Sequence, residues 1–128
     1  MGHQIDQQAR ERIWTTMAEF FVDNKIDYDY QASKICVYPL KELKKIFFRE
    51  VAPVCGPNAL TAAPPIWLSF DDQTVIDEVR KLLLKRDASA FFRLRHELSV
   101  LYLRVTLNGI WQEVEKAITR QRGRATCA

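Results

Sequence analysis

Apolar residues recur every three or four positions along much of the chain, a spacing typical of helices that bury one face. The first such stripe predicts a helix that begins at Gln4 or Asp6 and ends near Val22. Its members are Ile13, Trp14, Met17, Phe20 and Phe21. Further stripes predict helices over about 28–36, 39–51 and 71–86. The pattern therefore predicts an all-α fold, a compact bundle of five to six helices.

The C-terminal part, residues 88–122, carries a second kind of pattern. In its first half, successive apolar residues are three and four positions apart in turn, the spacing of a heptad seam. These residues are Phe91, Leu94, Leu98, Leu101 and Val105. Near Gly109 the apolar residues leave this heptad register and continue on a different face. The change predicts helices over about 88–106 and 108–120 with a bend or short turn between them. Apolar residues also lie off the seam. The helix over 88–106 is therefore either central to the bundle or docked by one side to another chain.

Residues 50–70 are largely apolar and carry four of the five prolines. Because apolar surface in water is unfavourable, we expect residues 52–69 to form an ordered loop packed over the core. Val54, Leu60, Trp67 and Phe70 are expected to point inward. Trp67 is also a candidate anchor for a partner, since loop tryptophans often contribute strongly to binding. Pro64 and Pro65 form a candidate exposed ridge beside it.

A chain of 128 residues predicts one domain, residues 1–122, followed by a flexible tail over 123–128. The three cysteines are an odd number without C-x-x-C spacing, so we expect reduced thiols in a cytoplasmic protein, with Cys36 and Cys55 in the core. Neither a signal peptide nor a membrane-spanning run is visible.

Charge is unevenly distributed along the chain. Residues 1–79 hold 8 Lys and Arg against 12 Asp and Glu, whereas residues 80–128 hold 11 against 4. An acidic face around Asp23, Asp27 and Asp29 would suit a basic partner. A basic face that includes Arg93, Arg95 and Arg104 would suit an acidic one. Nucleic acid is the weaker alternative, because the arginines do not interleave with aromatic residues and no helix-turn-helix is recognisable.

No motif predicts catalysis. His96-Glu97 begins like the zinc-protease motif H-E-x-x-H, but Val100 stands where the second histidine is needed. We expect His96 to be exposed or paired with a carboxylate. Asp71 and Asp72 are expected to cap a helix, and residues 23–29 lack the ligand spacing of a calcium loop. The sequence thus predicts no enzyme, no cofactor and no metal site.

Three blocks of sequence resemble a family of small bacterial all-helical domains of unknown function. The blocks are Trp14 to Asp23, Glu50-Val-Ala-Pro-Val54 with Asn58 and Leu60, and Trp67 to Phe70. The likeness covers about residues 10–86, and the helices beyond Ala88 lie outside it. Two places depart from the family pattern: Met17-Ala18 replaces Leu-Ser, and Pro64-Pro65 replaces Ala-Gly.

The resemblance implies a fold but no activity. Short, helical, cofactor-free proteins of this kind are often encoded beside bacterial toxins as immunity proteins, so it suggests a function by association only. We therefore expect a non-catalytic protein-binding module, an immunity protein that neutralises a toxin or effector by direct binding. The alternative is a nucleic-acid-associated or regulatory helical protein. A homodimer through the C-terminal helices is a further expected association.

Overall fold

The computed structural model describes residues 5–21, 27–55 and 72–124. These residues form six helices and contain no strand, which confirms the predicted all-α bundle. The helices are α1 (Gln7–Ala18), α2 (Tyr28–Ile35), α3 (Leu40–Ile46), α4 (Asp72–Ala88), α5 (Ala90–Thr106) and α6 (Asn108–Arg122). A 3₁₀ turn, Glu19–Phe21, extends α1. The slip in apolar phase near Gly109 corresponds to a single turn residue, Leu107, between α5 and α6.

Three helices begin at side chains that cap free backbone N–H groups. Asp6 accepts from the backbone of Ala9 at 2.7 Å, and Asp27 accepts from Tyr30 at 3.0 Å. Ser89 accepts from Phe92 at 3.2 Å and starts α5. Short polar side chains are favoured at this position because they satisfy donors that the first helical turn leaves unpaired. Asp6, Asp27 and Ser89 are therefore the N-caps of α1, α2 and α5.

The third helix continues beyond its predicted end. After Ile46 it passes through a π-helical turn, Phe47–Val51, and residues 52–55 are again helical. Within this turn the Ala52 N–H bonds to the carbonyl of Phe47, five residues earlier. Pro53 has no N–H to donate to the carbonyl of Arg49, and the changed bonding pattern lets the helix carry the proline. The prediction that a loop begins at residue 52 is wrong for residues 52–55.

A cluster of aromatic rings joins α1, α3 and α6. The ring of Phe47 lies 5.3 Å from that of Phe21, 4.9 Å from Phe48 and 5.2 Å from Trp111. All four side chains are buried. Rings at these separations and tilts gain more than their area burial alone provides. The cluster fixes the C-terminal helix α6 to the helices of the N-terminal half.

Two of the sequence blocks that carry the family resemblance meet inside the fold. The indole nitrogen of Trp14 donates to Oε1 of Glu50 at 2.8 Å, and Arg10 donates to Oε2 of the same carboxylate at 2.6 Å. Glu50 is buried, so a carboxylate here requires a cation and hydrogen bonds to be tolerated. This arrangement gives Trp14 and Glu50 a structural role in holding α1 against α3.

The end of α6 is attached to the connection between α2 and α3. Arg122 donates to the carbonyl of Cys36 at 2.9 Å and also to the carbonyl of Tyr38. These two carbonyls follow α2, which lies along α6. A guanidinium placed at orphan carbonyls satisfies acceptors that a helix end leaves free. The contact attaches the C-terminal end of α6 to the connection between α2 and α3.

Candidate protein-binding surface

One side of α5 presents an uninterrupted line of apolar side chains to solvent. We call it the α5 stripe: Phe91, Leu94, Leu98, Leu101 and Val105. Each member is more than half exposed, from 59% for Leu98 to 80% for Val105. Tyr102, at 61%, lies beside the stripe. Single exposed leucines are ordinary, but a contiguous line of large apolar residues usually marks an interaction surface.

The opposite side of the same helix is part of the core. His96, Val100 and Leu103 are buried, and α5 packs on α4, on α6 and on the π turn of α3. At 100° per residue, this buried side and the α5 stripe face opposite directions. The helix is therefore apolar on two sides. Of the two alternatives that the sequence left open, the structure shows a helix packed on one side with its heptad seam facing solvent.

Arg95 and Arg104 flank the α5 stripe, and Arg93 lies farther round the helix. Arg93, Arg95 and Arg104 are exposed, and none forms an ion pair within the described part of the chain. The Arg104 guanidinium lies 5.9 Å from the centre of the Phe48 ring. Glu97, the one acidic residue of α5, is held by Arg49 of the π turn through bonds of 2.6 and 2.9 Å. The surface thus combines an apolar centre with positive edges, and of the three predicted arginines Arg95 and Arg104 lie beside it.

The contact between Arg49 and Glu97 changes the pKa of both side chains. The hydrogen bonds from Arg49 hold the pKa of Glu97 below its usual value, and the same bonds raise the pKa of Arg49. Glu97 is half exposed, so solvent screens part of this effect. The pair nevertheless gives α5 a fixed electrostatic contact to α3.

The predicted acidic residues do not form a free face within the described residues. Asp27 caps α2, as described above, and Asp29 accepts from Arg120 of α6 at 3.0 Å. The bond from Arg120 lowers the pKa of Asp29. Asp23 lies outside the described residues. Asp29 is therefore paired with Arg120, whereas Asp27 is exposed and bonds to a backbone N–H.

The remaining predicted contact residues, Pro64, Pro65 and Trp67, lie outside the residues that the structure describes. The same holds for Leu60 and Phe70, which were expected to point inward. Val54 is described, and it packs against the core as predicted.

His96 is in a different environment from the one predicted. It is 3% exposed, and its Nε2 lies 2.8 Å from the carbonyl oxygen of Arg49. Since a carbonyl only accepts, Nε2 carries the proton and donates. Arg49 is the residue whose carbonyl loses its α-helical donor because position 53 is proline. The expectation of an exposed or carboxylate-paired His96 is wrong: the ring supplies the donor that Pro53 cannot. His96 is the seventh residue of α5, and nothing in the local sequence pattern indicated this contact.

The cysteines differ from one another. Burial raises the pKa of the Cys55 thiol to about 12, so this side chain behaves as an inert core residue. Cys36 is also buried, which confirms that both lie in the core. However, Cys36 is disulfide-bonded. The prediction that the thiols are reduced is therefore wrong for Cys36.

The described residues also contain grooves between α1 and α2. One, of about 460 Å³, is lined by residues that include Arg12, Thr16 and Tyr38, and Arg12 donates to the Tyr38 hydroxyl at 3.1 Å. Among the described residues, no three His, Cys, Asp or Glu side chains are grouped so that they could hold a metal ion. No helix within the same residues is both long and apolar enough to cross a membrane.

Comparison with known proteins identifies a family to which the chain is similar. A family model described as a domain of unknown function (DUF7079) matches residues 8–117. The match includes the whole α5 stripe and most of α6, and so extends beyond residue 86, where the resemblance of the three sequence blocks ends. No curated protein and no solved structure is significantly similar to the chain.

Proposed function

The chain belongs to the DUF7079 family, whose function is unknown, and we propose that it is a non-catalytic protein-binding module that binds through the α5 stripe. The observation that carries this proposal is the exposure of a complete heptad seam on a helix whose other side is already buried. A surface helix in a bundle normally needs one apolar face. The second face is costly in water unless another protein covers it.

The chemistry of the surface supports a protein partner. Large apolar side chains at the centre and arginines at the edge resemble the usual arrangement of protein interfaces, where charges are depleted at the centre and the rim is polar. Phe91 and Tyr102 are candidate anchors, because aromatic residues contribute much of the binding energy in such interfaces. Arg93, Arg95 and Arg104 favour an acidic partner surface.

The more specific proposal is that the partner is a bacterial toxin or effector and that this chain is its immunity protein. It would act by covering the toxin surface, with no chemistry of its own. Its support is the association of small, helical, cofactor-free domains with toxin genes, together with a docking surface of suitable character. The proposal includes a cytoplasmic location, and the disulfide at Cys36, a bond more typical of oxidising compartments, counts against that part of it.

The test is co-expression with the product of the neighbouring gene, scoring both growth and co-purification. We expect the wild-type chain to form a complex and to rescue growth. Leu98→Glu, at the centre of the α5 stripe, should lose both. The matched control is Tyr30→Glu, which places the same charge on an equally exposed aromatic of α2, and it should retain both. Absence of a complex and of rescue by the wild-type chain would refute the immunity role.

The alternative is a nucleic-acid-associated protein, since the three free arginines of α5 could contact phosphates. The apolar residues between them count against this, because phosphate contacts do not need an apolar centre. Binding of duplex and single-stranded DNA and RNA at ~50 mM salt separates the two. We expect no binding that depends on Arg93, Arg95 and Arg104.

A further inference from the structure

The α5 stripe has the spacing of a coiled-coil seam, and this spacing restricts what can cover it. Its five members follow one another at intervals of three, four, three and four residues. In heptad terms Phe91, Leu98 and Val105 occupy one seam position, and Leu94 and Leu101 occupy the other. A seam of this kind is complementary to another helix that carries the same repeat. The chain itself supplies such a helix.

We propose that the free protein is a two-fold symmetric homodimer in which α5 pairs antiparallel with α5 of a second copy. A two-fold interface uses the same patch on both copies, so the patch must be complementary to itself. This inference uses the docking surface of the proposed function but does not depend on the identity of any other partner. A partner that covers the α5 stripe would displace the second copy.

The residues beside the stripe select one register. Arg95 and Tyr102 flank one edge, and Glu97 and Arg104 flank the other. In the register that places Leu98 opposite Leu101 of the second copy, Leu94 faces its Val105. Glu97 then lies near Arg104 of the second copy, and Arg95 lies near its Tyr102. Each contact occurs twice through the symmetry: Arg104 approaches a Glu97 carboxylate that Arg49 of the same chain as that Glu97 also binds, and Arg95 approaches an aromatic ring.

Other pairings are electrostatically worse. Moving the register by one heptad so that Leu94 faces Leu98 of the second copy brings Glu97 toward its own symmetry mate, and Arg95 toward its mate. The opposite shift brings the two Arg104 side chains together. A parallel pairing aligns Glu97 with Tyr102 and leaves the arginines without partners. Because like charges directly opposite are destabilising, the antiparallel register with Leu98 facing Leu101 is selected.

The favoured register also accommodates Phe91. In it, Phe91 faces residues 108–109 of the second copy, at the junction between α5 and α6. Asn108 and Gly109 are both exposed there, and a Cβ built on Gly109 would meet nothing within 4 Å. The junction therefore has room for an aromatic ring.

The interface is small for a stable dimer. The exposed parts of the stripe and of Tyr102 supply roughly 600 Å² per copy, against roughly 800 Å² per partner in a standard interface. We therefore expect a monomer–dimer equilibrium that depends on concentration. Sedimentation velocity of the full chain from ~5 to ~500 µM measures it, and the sedimentation coefficient should rise with concentration.

Two substitutions locate the interface. Leu98→Glu should abolish the concentration dependence, whereas Tyr30→Glu should leave it unchanged. Both positions are exposed, so both variants should fold, and far-ultraviolet circular dichroism with thermal unfolding verifies this. A wild-type chain that stays monomeric at every concentration would overturn the proposal. That result would mean that residues 56–71 of the same chain, or a different protein, cover the α5 stripe.

A charge comparison tests the register. Arg104→Glu places a carboxylate opposite Glu97 of the second copy and should raise the dissociation constant about tenfold. Arg93→Glu changes the net charge equally but lies away from the seam, so it should have little effect. The difference should shrink as salt is added. Equal effects of the two substitutions would overturn the register.

Cross-linking tests direction. Leu94→Cys and Val105→Cys variants should form disulfide-linked dimers when mixed under mild oxidation, and neither should do so alone. A parallel dimer would give the reverse, with cross-links in each variant alone. Dimerisation and toxin neutralisation fail separately: a monomer that rescues growth removes only this inference, and a dimer without rescue removes only the immunity role.

Discussion

The imidazole of His96 contacts the backbone carbonyl of Arg49, which lacks the N–H donor that residue 53 would supply in a regular α-helix. Pro53 cannot bond the Arg49 carbonyl, and the buried His96 ring does so from α5, 2.8 Å away. In the same region Arg49 binds Glu97 through its side chain. One residue of the π turn thus contacts α5 through both its backbone and its side chain. Neither contact requires catalysis or metal binding to explain it.

Replacing His96 tests this structural role. His96→Ala should lower the free energy of unfolding by about 2–4 kcal/mol, because it leaves a cavity and an unsatisfied buried carbonyl. Urea denaturation measures the loss. Ser99→Ala, one turn along the helix at an exposed position, is the control and should change stability by less than about 0.5 kcal/mol. A His96→Ala protein as stable as the wild type would contradict the interpretation.

The Arg49–Glu97 pair predicts a pH dependence. The folded-state pKa of Glu97 is lowered from its ordinary value of 4.5, so the pair stabilises the fold above that pH. This contribution is lost as the pH falls through the lowered folded-state pKa. Glu97→Gln should therefore be less stable than the wild type at pH 7, and the difference should vanish in acid. Denaturation of both proteins between pH 7 and pH 2 measures it. A difference that persists at low pH would exclude the ion pair as its source.

At the scale of elements, α5 carries two apolar faces, of which one is buried in the bundle and the other is exposed to solvent. Val100 is buried against the bundle, whereas Leu98, two residues earlier, is 59% exposed. A helix of this composition is compatible with either face being buried. Contacts with α4, α6 and the π turn of α3 decide which one is, and the heptad seam is the face left over.

A pair of matched substitutions distinguishes the faces. Val100→Asp should lower the free energy of unfolding by about 3–5 kcal/mol, because it buries an unpaired charge. Leu98→Asp should change it by less than about 1 kcal/mol. Both are measured by denaturation at a concentration low enough to keep the protein monomeric. Similar losses for both variants would show that the α5 stripe is part of the monomer core.

At the scale of the whole molecule, helices from both halves of the chain share one core. The aromatic cluster of α1, α3 and α6 places Trp111 against Phe47, and Arg122 attaches α6 to the end of α2. The bundle is therefore expected to unfold cooperatively. Cys55, buried at the end of the helical stretch 52–55, reports on this opening.

Thiol modification provides the measurement. With its pKa raised to about 12, Cys55 should resist iodoacetamide in the folded protein at pH 8 and react readily in urea. Its reaction rate in mild denaturant should follow the fraction unfolded seen by circular dichroism. Mass spectrometry identifies the modified residue. Rapid modification of Cys55 under native conditions would indicate that its surroundings open locally.

The sequence by itself determined the helices and the seam. Apolar periodicity and capping residues act within one or two turns, so the positions of all six helices and the break at Leu107 are readable from local pattern. The helical continuation through residues 52–55 was missed, because a π turn leaves no periodic signal.

Only the tertiary structure decided which contacts join distant segments. Glu50 binding Trp14, Asp29 binding Arg120 and His96 binding the Arg49 carbonyl each link residues at least thirty-six positions apart. Such pairings depend on how the helices pack, and many partners are compatible with the same local pattern. For the same reason, the outward direction of the α5 stripe follows from packing, although its spacing was visible in the sequence.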